Sequence, residues 1–173
     1  FLEKDELLKA AQHCYRTTEI FRTLNEPKEE ATSWLRMGAI LNGLQQWKAA
    51  EHAFRESARI ESALGNFSNA ARSWANIAQT LALTDNLIES EPWLRKSIEA
   101  FQTAGEDADA SSAMGNLAEV LRVQPHRLDE ARQIAEESLK IQRKLDPNAV
   151  HIWKIYSVLA EISESQQDFT TGT

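Results

Sequence analysis

Cysteine and histidine, which commonly act as nucleophiles, bases or metal ligands, are few in this sequence, and the four histidines lie far apart. The 173 residues contain one cysteine and four histidines, namely Cys14, His13, His52, His126 and His151. The sequence has no Gly-x-Gly-x-x-Gly, Gly-Lys-Ser/Thr or His-Glu-x-x-His motif, so neither a phosphate loop nor a zinc-protease site is indicated. His13 and Cys14 align with mostly apolar residues in similar segments, so we interpret both as packed side chains. We therefore expect no catalytic residue, no metal site and no cofactor.

Two asparagines suggest a different chemistry, the recognition of a polypeptide. Asn76 and Asn116 lie 40 residues apart, and each is followed by a large aliphatic residue and an alanine. An asparagine side chain can both donate to and accept from a peptide backbone. The alternative is that each of them pairs with a neighbouring helix.

Two helical templates repeat along the chain and would position these side chains. The first, helix B, carries an i, i+3, i+4, i+7 stripe. It consists of Ala50, Ala53, Phe54, Ser57, Ile60 and Leu64, and recurs after shifts of −40, +40 and +81 residues. The second, helix A, consists of Trp34, Met37, Gly38 and Leu41. It recurs after 40, 80 and 122 residues, the last time as Tyr156, Leu159, Ala160 and Ser163. The shifts predict one extra residue in the turn at 123–128 and another at 146–148.

The templates also divide the chain into repeats. We treat residues 1–173 as one domain, with helix B of a partial first repeat in 1–26, full repeats in 27–65, 66–105 and 106–146, and a partial last repeat in 147–173. Gly65 and Gly105 follow helix ends, where a left-handed residue is favoured. Pro27 and Pro147 cannot continue the preceding helices. Pro92 fits only if its helix starts late, near residues 89–92, or is kinked there.

These residues resemble the tetratricopeptide repeat family. The family signature is a large residue, Leu-Gly/Ala and a second large residue on helix A, followed by Ala and an aromatic residue on helix B. It is matched best by Trp34, Met37, Gly38, Leu41, Ala50 and Phe54. The period of 40 to 42 residues exceeds the usual ~34 and resembles the lengthened branch found in kinesin light chains and bacterial signalling proteins. The resemblance implies an all-α, right-handed superhelical solenoid of antiparallel helix pairs, with A helices lining a concave groove.

The family pattern also implies which residues face that groove. In each repeat they lie two residues before, and one, two, five and eight residues after, the position equivalent to Trp34. This gives Thr32, Leu35, Arg36, Ala39 and Asn42; Arg72, Ala75, Asn76, Gln79 and Ala82; Ser112, Gly115, Asn116, Glu119 and Arg122; and Lys154, Ser157, Val158, Glu161 and Glu164. We select as candidate ligand-binding residues Arg36, Arg72, Asn76, Gln79, Asn116, Glu119 and Arg122. The arginines suit a ligand carboxylate, unless they pair with Glu119 or Glu161 instead.

Charge and composition narrow the range of partners. A formal net charge of −7 argues against nucleic acid, and no apolar run approaches the ~18 residues of a membrane span. With a single cysteine and no visible secretory signal, we expect a cytoplasmic protein, bacterial in style. The expected partner is a protein or peptide, with an acidic group or carboxylate as one option.

Several functional alternatives stay open at this point. Another part of the same parent protein could fill the groove, or the uncapped ends of the array could self-associate. A peptide-pheromone sensor is one alternative to a general interaction module. A regulatory arm of an effector enzyme, either an ATPase or a caspase-like protease, is another.

Overall fold

The structure is a computed structural model that describes the backbone of residues 2–146 and 152–171, with side chains for all of these except 2, 3, 125 and 166–171. The described residues form eight α-helices and one short 3-10 turn, and they contain no strand. They fall into two compact units, Phe1–Trp93 and Leu94–Thr173. No helix in the described part of the chain has the length and apolar character needed to cross a membrane.

The first unit consists of successive antiparallel helices. They are α1 (Leu2–Thr23), α2 (Pro27–Gly43), α3 (Trp47–Ala63), α4 (Phe67–Ala82) and the beginning of α5 (Leu87–Ala104). Helix α1 packs against α2, α2 against α3, and α3 against α4. Part of the core between them consists of Ala31, Trp34, Met37, Ala53 and Ile60. Helices α2 and α4 begin 40 residues apart, as do α3 and α5, which is the lengthened spacing of the sequence templates.

The second unit continues the same arrangement. After the rest of α5 it contains α6 (Asp107–Arg122), a 3-10 turn (Pro125–Arg127), α7 (Leu128–Leu145) and α8 (Ile152–Thr171). Helices α6 and α7 pack together, and α8 packs against both. The 3-10 turn accommodates the extra residue predicted between 123 and 128. The core of the second unit includes Leu117, Leu121, Ala131, Ala135 and Ile162, all of them buried.

A left-handed residue closes a turn every 20 residues. Gly65 and Gly105 adopt φ values of 75° and 71°, and the same conformation occurs at Asn25, Gln45 and Asp85, with φ values of 57°, 60° and 60°. The amide of the following residue donates back to the preceding helix, for example from Gln46 N to Leu41 O at 2.9 Å, as in a Schellman motif. Non-glycine residues therefore hold three of these five turns. The side chain of Gln45 is the least suited of the three to this conformation.

A close approach between α2 and α3 explains the small residue in the helix A template. A Cβ atom at Gly38 would lie 2.5 Å from Cε1 of Phe54, and Phe54 is buried. Carbon atoms in contact stay about 3.5–4.0 Å apart. The aromatic ring of Phe54 therefore occupies the space that any larger residue at position 38 would need.

The first helix shows one correct and one incorrect packing prediction. Cys14 is half-buried against the core of the first unit, as predicted. His13 is exposed, so its interpretation as a packed histidine is wrong. The same holds for Ile20, a member of the helix B template that is 56% exposed. The described residues contain no helix before α1, so only α2 covers it, and the rest of its surface faces solvent.

Pro92 lies inside α5, which begins five residues earlier at Leu87. The late start that we considered for this helix is therefore wrong. Proline has no amide hydrogen, so the carbonyl group of Ile88 lacks its usual helical donor. Because Ile88 is 68% exposed, water can solvate that carbonyl group.

The register predicted for α8 is wrong by one residue. We expected Tyr156, Leu159, Ala160 and Ser163 to face the core, but Tyr156 is 46% exposed and Ala160 is exposed as well. The buried residues are Ile152, Ile155, Val158 and Ile162. The helix A template thus recurs after 121 residues instead of 122. The one extra residue at 123–128 already accounts for this shift, so a second extra residue at 146–148 is not needed to explain it. Val158, which we expected in the groove, is 5% exposed.

The physical reason lies in what covers α8. The template needs a small residue where helix A crosses the following helix B, and Leu159-Ala160 imitates that pattern. No helix follows α8 among the described residues, so this requirement does not act on it. Burial of the most apolar face against α6 and α7 sets the register instead.

Candidate peptide-binding surface

The candidate residues of the first unit lie on the side of α2 and α4 that faces away from their buried residues. On α4, Trp74 and Ile77 point into the core, whereas Arg72 and Gln79 are exposed and Asn76 is half-buried. The exposed guanidinium of Arg36 on α2 forms no hydrogen bond or ion pair with a described residue. Arg72 donates from Nη1 to Oδ1 of Asn69 at 3.1 Å. This surface therefore presents two arginines and two uncharged amides.

One predicted groove residue of this unit links two helices. Nδ2 of Asn42 on α2 donates to Oγ1 of Thr80 on α4 at 3.0 Å, and that hydroxyl group lies 2.8 Å from the backbone oxygen of Asn76. Asn42 therefore joins two A helices. The side chain of Asn76 makes no hydrogen bond with a described residue, so its amide can still donate and accept.

In the second unit, Asn116 uses one of its two polar atoms. Nζ of Lys154 on α8 donates to Oδ1 of Asn116 on α6 at 2.8 Å. An ammonium group only donates, so the oxygen of the Asn116 side chain must face Lys154. Its Nδ2 then points elsewhere, and no described residue accepts from it. The side-chain amide keeps its donor for a ligand.

Arg122 is held by two carboxylates. Its Nη2 and Nε atoms lie 2.6 and 3.0 Å from the two carboxylate oxygens of Glu119, and Nη1 lies 3.1 Å from Oε2 of Glu161. The hydrogen bond to Glu119 raises the pKa of the Arg122 guanidinium, burial opposes this, and the charges of both glutamates add to it. The pairing that we named as an alternative is therefore the observed one. Glu119 and Arg122 do come together, but as an ion pair.

The corrected register of α8 reveals two residues that the sequence reasoning missed. Trp153 and Tyr156 occupy the positions of Ser112 and Gly115 in the preceding repeat, and they are 65% and 46% exposed. The guanidinium of Arg143 lies over the ring of Tyr156, 5.7 Å from its centre, and donates to its hydroxyl group. The signal that identifies them is the aliphatic stripe of α8, which places both aromatic residues outside the core.

An open pocket of about 190 Å³ lies beside Trp153 in the second unit. Its walls come from α6, α7 and α8, and they include Ser112, Gly115, Asn116, Gln142, Trp153 and Lys154. Oε1 of Gln142 is shielded from water and has no hydrogen-bond partner among the described residues. A Cβ atom at Gly115 would meet only ordinary contacts, 3.8 Å from Cγ1 of Ile155. Packing therefore does not require a glycine at position 115.

The described part of the chain contains no group of three or more acidic, histidine or cysteine side chains that lie close enough together to hold a metal ion.

Comparison with known proteins identifies a family match for part of the chain. A sequence model of the tetratricopeptide repeat family matches residues 69–144, whereas no curated protein matches the sequence significantly. Among solved structures, BtubC (BKLC) from P. vanneervenii is similar with a TM-score of 0.73 and 16% identity, over 83% of this chain and 59% of that one. A Signal Transduction ATPase with Numerous Domains (STAND) protein with a tetratricopeptide repeat sensor, from Pyrococcus horikoshii, is similar with a TM-score of 0.79 and 18% identity, over 95% of this chain and 24% of that one.

The likeness to the two solved structures bears on the fold. At such low identities the two structures show the fold alone, and the chain spans only 59% and 24% of their lengths. The all-α solenoid of antiparallel helix pairs that the sequence predicts is confirmed. Residues 69–144 match the tetratricopeptide repeat family by sequence, and 95% of the chain shares its fold with a structure that contains such repeats.

Proposed function

We propose that this chain is a non-catalytic, cytoplasmic module that binds an extended segment of another protein through the exposed faces of its A helices. The observation that carries the proposal is the state of Asn76 and Asn116. These equivalent, half-buried amides retain hydrogen-bonding atoms that no described residue uses. A polar group in that position is best satisfied by a polypeptide backbone, which offers a donor and an acceptor in every residue.

The charges of the two units favour different parts of a ligand. Arg36 and Arg72 give the surface of the first unit a positive character, and Arg36 has no described partner. In the second unit Arg122 is already neutralised by Glu119 and Glu161. An acidic side chain or a terminal carboxylate of the ligand would therefore pair with the first unit and not with Arg122.

Selection of binding peptides from a random displayed library, followed by affinity measurement on purified variants, tests the proposal. We expect Asn76→Ala and Asn116→Ala each to weaken binding of the selected peptides by about 5- to 100-fold, as loss of one buried hydrogen bond does. Gln133→Ala removes an exposed amide from the helix B face of α7 and serves as the matched control. Peptides that bind equally well to all three variants would show that these amides do not recognise a ligand.

The arginine part of the proposal has its own control. Arg16 on α1 and Arg36 on α2 are both exposed. Arg36→Ala should weaken acidic peptides more than their amide counterparts, and Arg16→Ala should weaken neither. Equal effects of the two substitutions would point to general electrostatic attraction and remove Arg36 from the site.

A second candidate is suggested by the likeness to the STAND protein with a tetratricopeptide repeat sensor. In that case the chain would be the regulatory arm of a larger signalling protein, and the segment bound would belong to the same polypeptide or to a sensed ligand. Mixing the purified chain with the remaining part of its own natural polypeptide distinguishes the two. Binding that Asn76→Ala abolishes would favour the regulatory arm over recognition of a separate partner.

A further inference from the structure

We propose that the pocket between α6 and α8 binds one uncharged amide side chain, from Gln or Asn, of an extended peptide. The inference rests on the proposed function, because it names what this part of the same surface recognises. It is carried by the size of the pocket, by its polar atoms and by its charge.

The size of the pocket matches one side chain. Its volume is about 190 Å³, whereas pockets that enclose a whole small molecule measure about 300–1,000 Å³. It is also open on one side, so the rest of a ligand can continue along the helices. A peptide that lies across α6 and α8 can therefore insert a single residue.

The polar atoms of the pocket include both donors and acceptors. Oε1 of Gln142 accepts from no described residue and is shielded from water, which is unfavourable for a carbonyl oxygen. The Nδ2 donor of Asn116 is also unused, and the exposed hydroxyl group of Ser112 can act either way. Because the terminal torsion of a glutamine is broad, a small rotation of the Gln142 side chain can bring Oε1 toward an entering N–H group. An amide side chain supplies both an N–H for Gln142 and a carbonyl oxygen for Asn116.

The charge and the polar atoms of the pocket make basic, acidic and aliphatic side chains less favourable occupants than an amide. Lys154 is the one charged residue in the described wall of the pocket, and it would repel an entering lysine or arginine. A carboxylate would accept from Asn116 or Lys154, but it would leave Oε1 of Gln142, in the orientation that the structure shows, without a donor. Lys154 is exposed, so water weakens its attraction for a carboxylate. A leucine would satisfy neither of these amides. The exposed face of Trp153 packs well against the methylene groups of a glutamine.

Five acetylated and amidated peptides of the form Ala-Ala-X-Ala-Ala test this preference, with X as Gln, Glu, Leu, Lys or Ala. The indole N–H resonance of Trp153, assigned by its loss in Trp153→Phe, reports binding during titration of the full chain. The Gln peptide should bind about tenfold more tightly than the Ala peptide, the factor expected for one or two uncharged hydrogen bonds. A Glu or Leu peptide that binds as tightly as the Gln peptide would overturn the proposal, and so would no response to any peptide.

Variants of the pocket separate recognition from folding. Gln142→Leu removes the unpartnered oxygen, so it should abolish the preference for Gln over Leu while leaving thermal stability unchanged or raised. Gly115→Ala adds a methyl group at a site without a clash and should weaken binding of the Gln peptide. Gln133→Leu, at an exposed site on α7, is the control. It should change neither the preference for Gln over Leu nor the binding of the Gln peptide. A Gln preference that persists in Gln142→Leu would contradict the assignment.

Failure of this inference differs from failure of the proposed function. If library-selected peptides bind in a way that depends on Asn76 but Trp153 responds to no pentapeptide, the pocket proposal is wrong and the proposed function stands. If selected peptides ignore both asparagines while the Gln pentapeptide still shifts Trp153, the general proposal is wrong and the pocket stands.

Discussion

Replacement of Gly38 by alanine tests the packing rule that defines these repeats. A Cβ atom there would lie 2.5, 2.6 and 2.9 Å from three ring atoms of Phe54. Ordinary contact requires about 3.5 Å or more, so the ring or the helix must move by roughly 1 Å. Phe54 is only 1% exposed, so its ring is enclosed by neighbouring residues.

Two opposing effects determine the outcome. Alanine favours a helix interior over glycine by about 1 kcal/mol, whereas overpacking a close-packed core costs about 1–3 kcal/mol. With three contacts far below the normal limit, we expect a cost near the upper end. Gly38→Ala should then lower the free energy of unfolding by about 1–2 kcal/mol.

Urea unfolding followed by circular dichroism measures this change as a shift of the midpoint. Gly43→Ala in the same helix is the control, because its Cβ atom would lie 3.6 Å from the nearest side-chain atom, and it should not destabilise. Phe54→Leu should partly rescue Gly38→Ala, with a coupling energy of about 1 kcal/mol or more. The reasoning would be refuted if Gly38→Ala were as stable as the unchanged chain, or if the two substitutions were simply additive.

Three further substitutions test other parts of the structure. Gln45→Gly should stabilise the chain by about 0.5–1 kcal/mol in thermal unfolding, because it relieves a left-handed glutamine, while Gln46→Gly, at φ −91°, should not stabilise it. Ile155→Ala should cost about 2–4 kcal/mol and Tyr156→Ala less than about 1 kcal/mol, and the reverse order would restore the original register of α8. Hydrogen bonds from Arg95 and then Arg127 lower the pKa of the Glu130 carboxyl group. The two hydrogen bonds therefore stabilise the folded chain fully at a pH above the pKa of a glutamate in the unfolded chain. This stabilisation is lost as the pH falls through the lowered pKa of Glu130 in the folded chain. Glu130→Gln should thus destabilise by up to about 1 kcal/mol at neutral pH, since the pair is partly exposed, and have no effect in acid. An equal loss at both pH values would exclude the ion pair as the cause.

The fold follows from the sequence wherever each helix has its neighbours. The stripe around Phe54 and the pair Met37-Gly38 predict the helix pairing correctly, because a small residue must face a large one where two helices cross. His13 and α8 were wrongly predicted for the same physical reason. A template position is buried only if another helix covers it, and neither α1 nor α8 has a described helix on its outer side.

The candidate site was less predictable from sequence than the fold. The spacing of Asn76 and Asn116 identifies equivalent positions, but it does not show which polar atoms are already used. The pairing of Arg122 with Glu119 and Glu161 depends on the distance between two A helices, which no periodicity specifies. Trp153 and Gln142 lie on different helices and meet in the pocket only through the packing of α7 and α8.

The most direct test of the central claim is an NMR titration of the chain labelled with ¹⁵N at asparagine, using a peptide selected from the displayed library. Each asparagine side chain gives its own pair of amide signals, so binding sites and turns are observed together. The account predicts that the signals of Asn76 and Asn116 shift on binding while those of Asn25 and Asn86, in turns between helices, stay unchanged. Shifts confined to the turn asparagines, with Asn76 and Asn116 unaffected, would contradict the claim that the A helices bind the peptide.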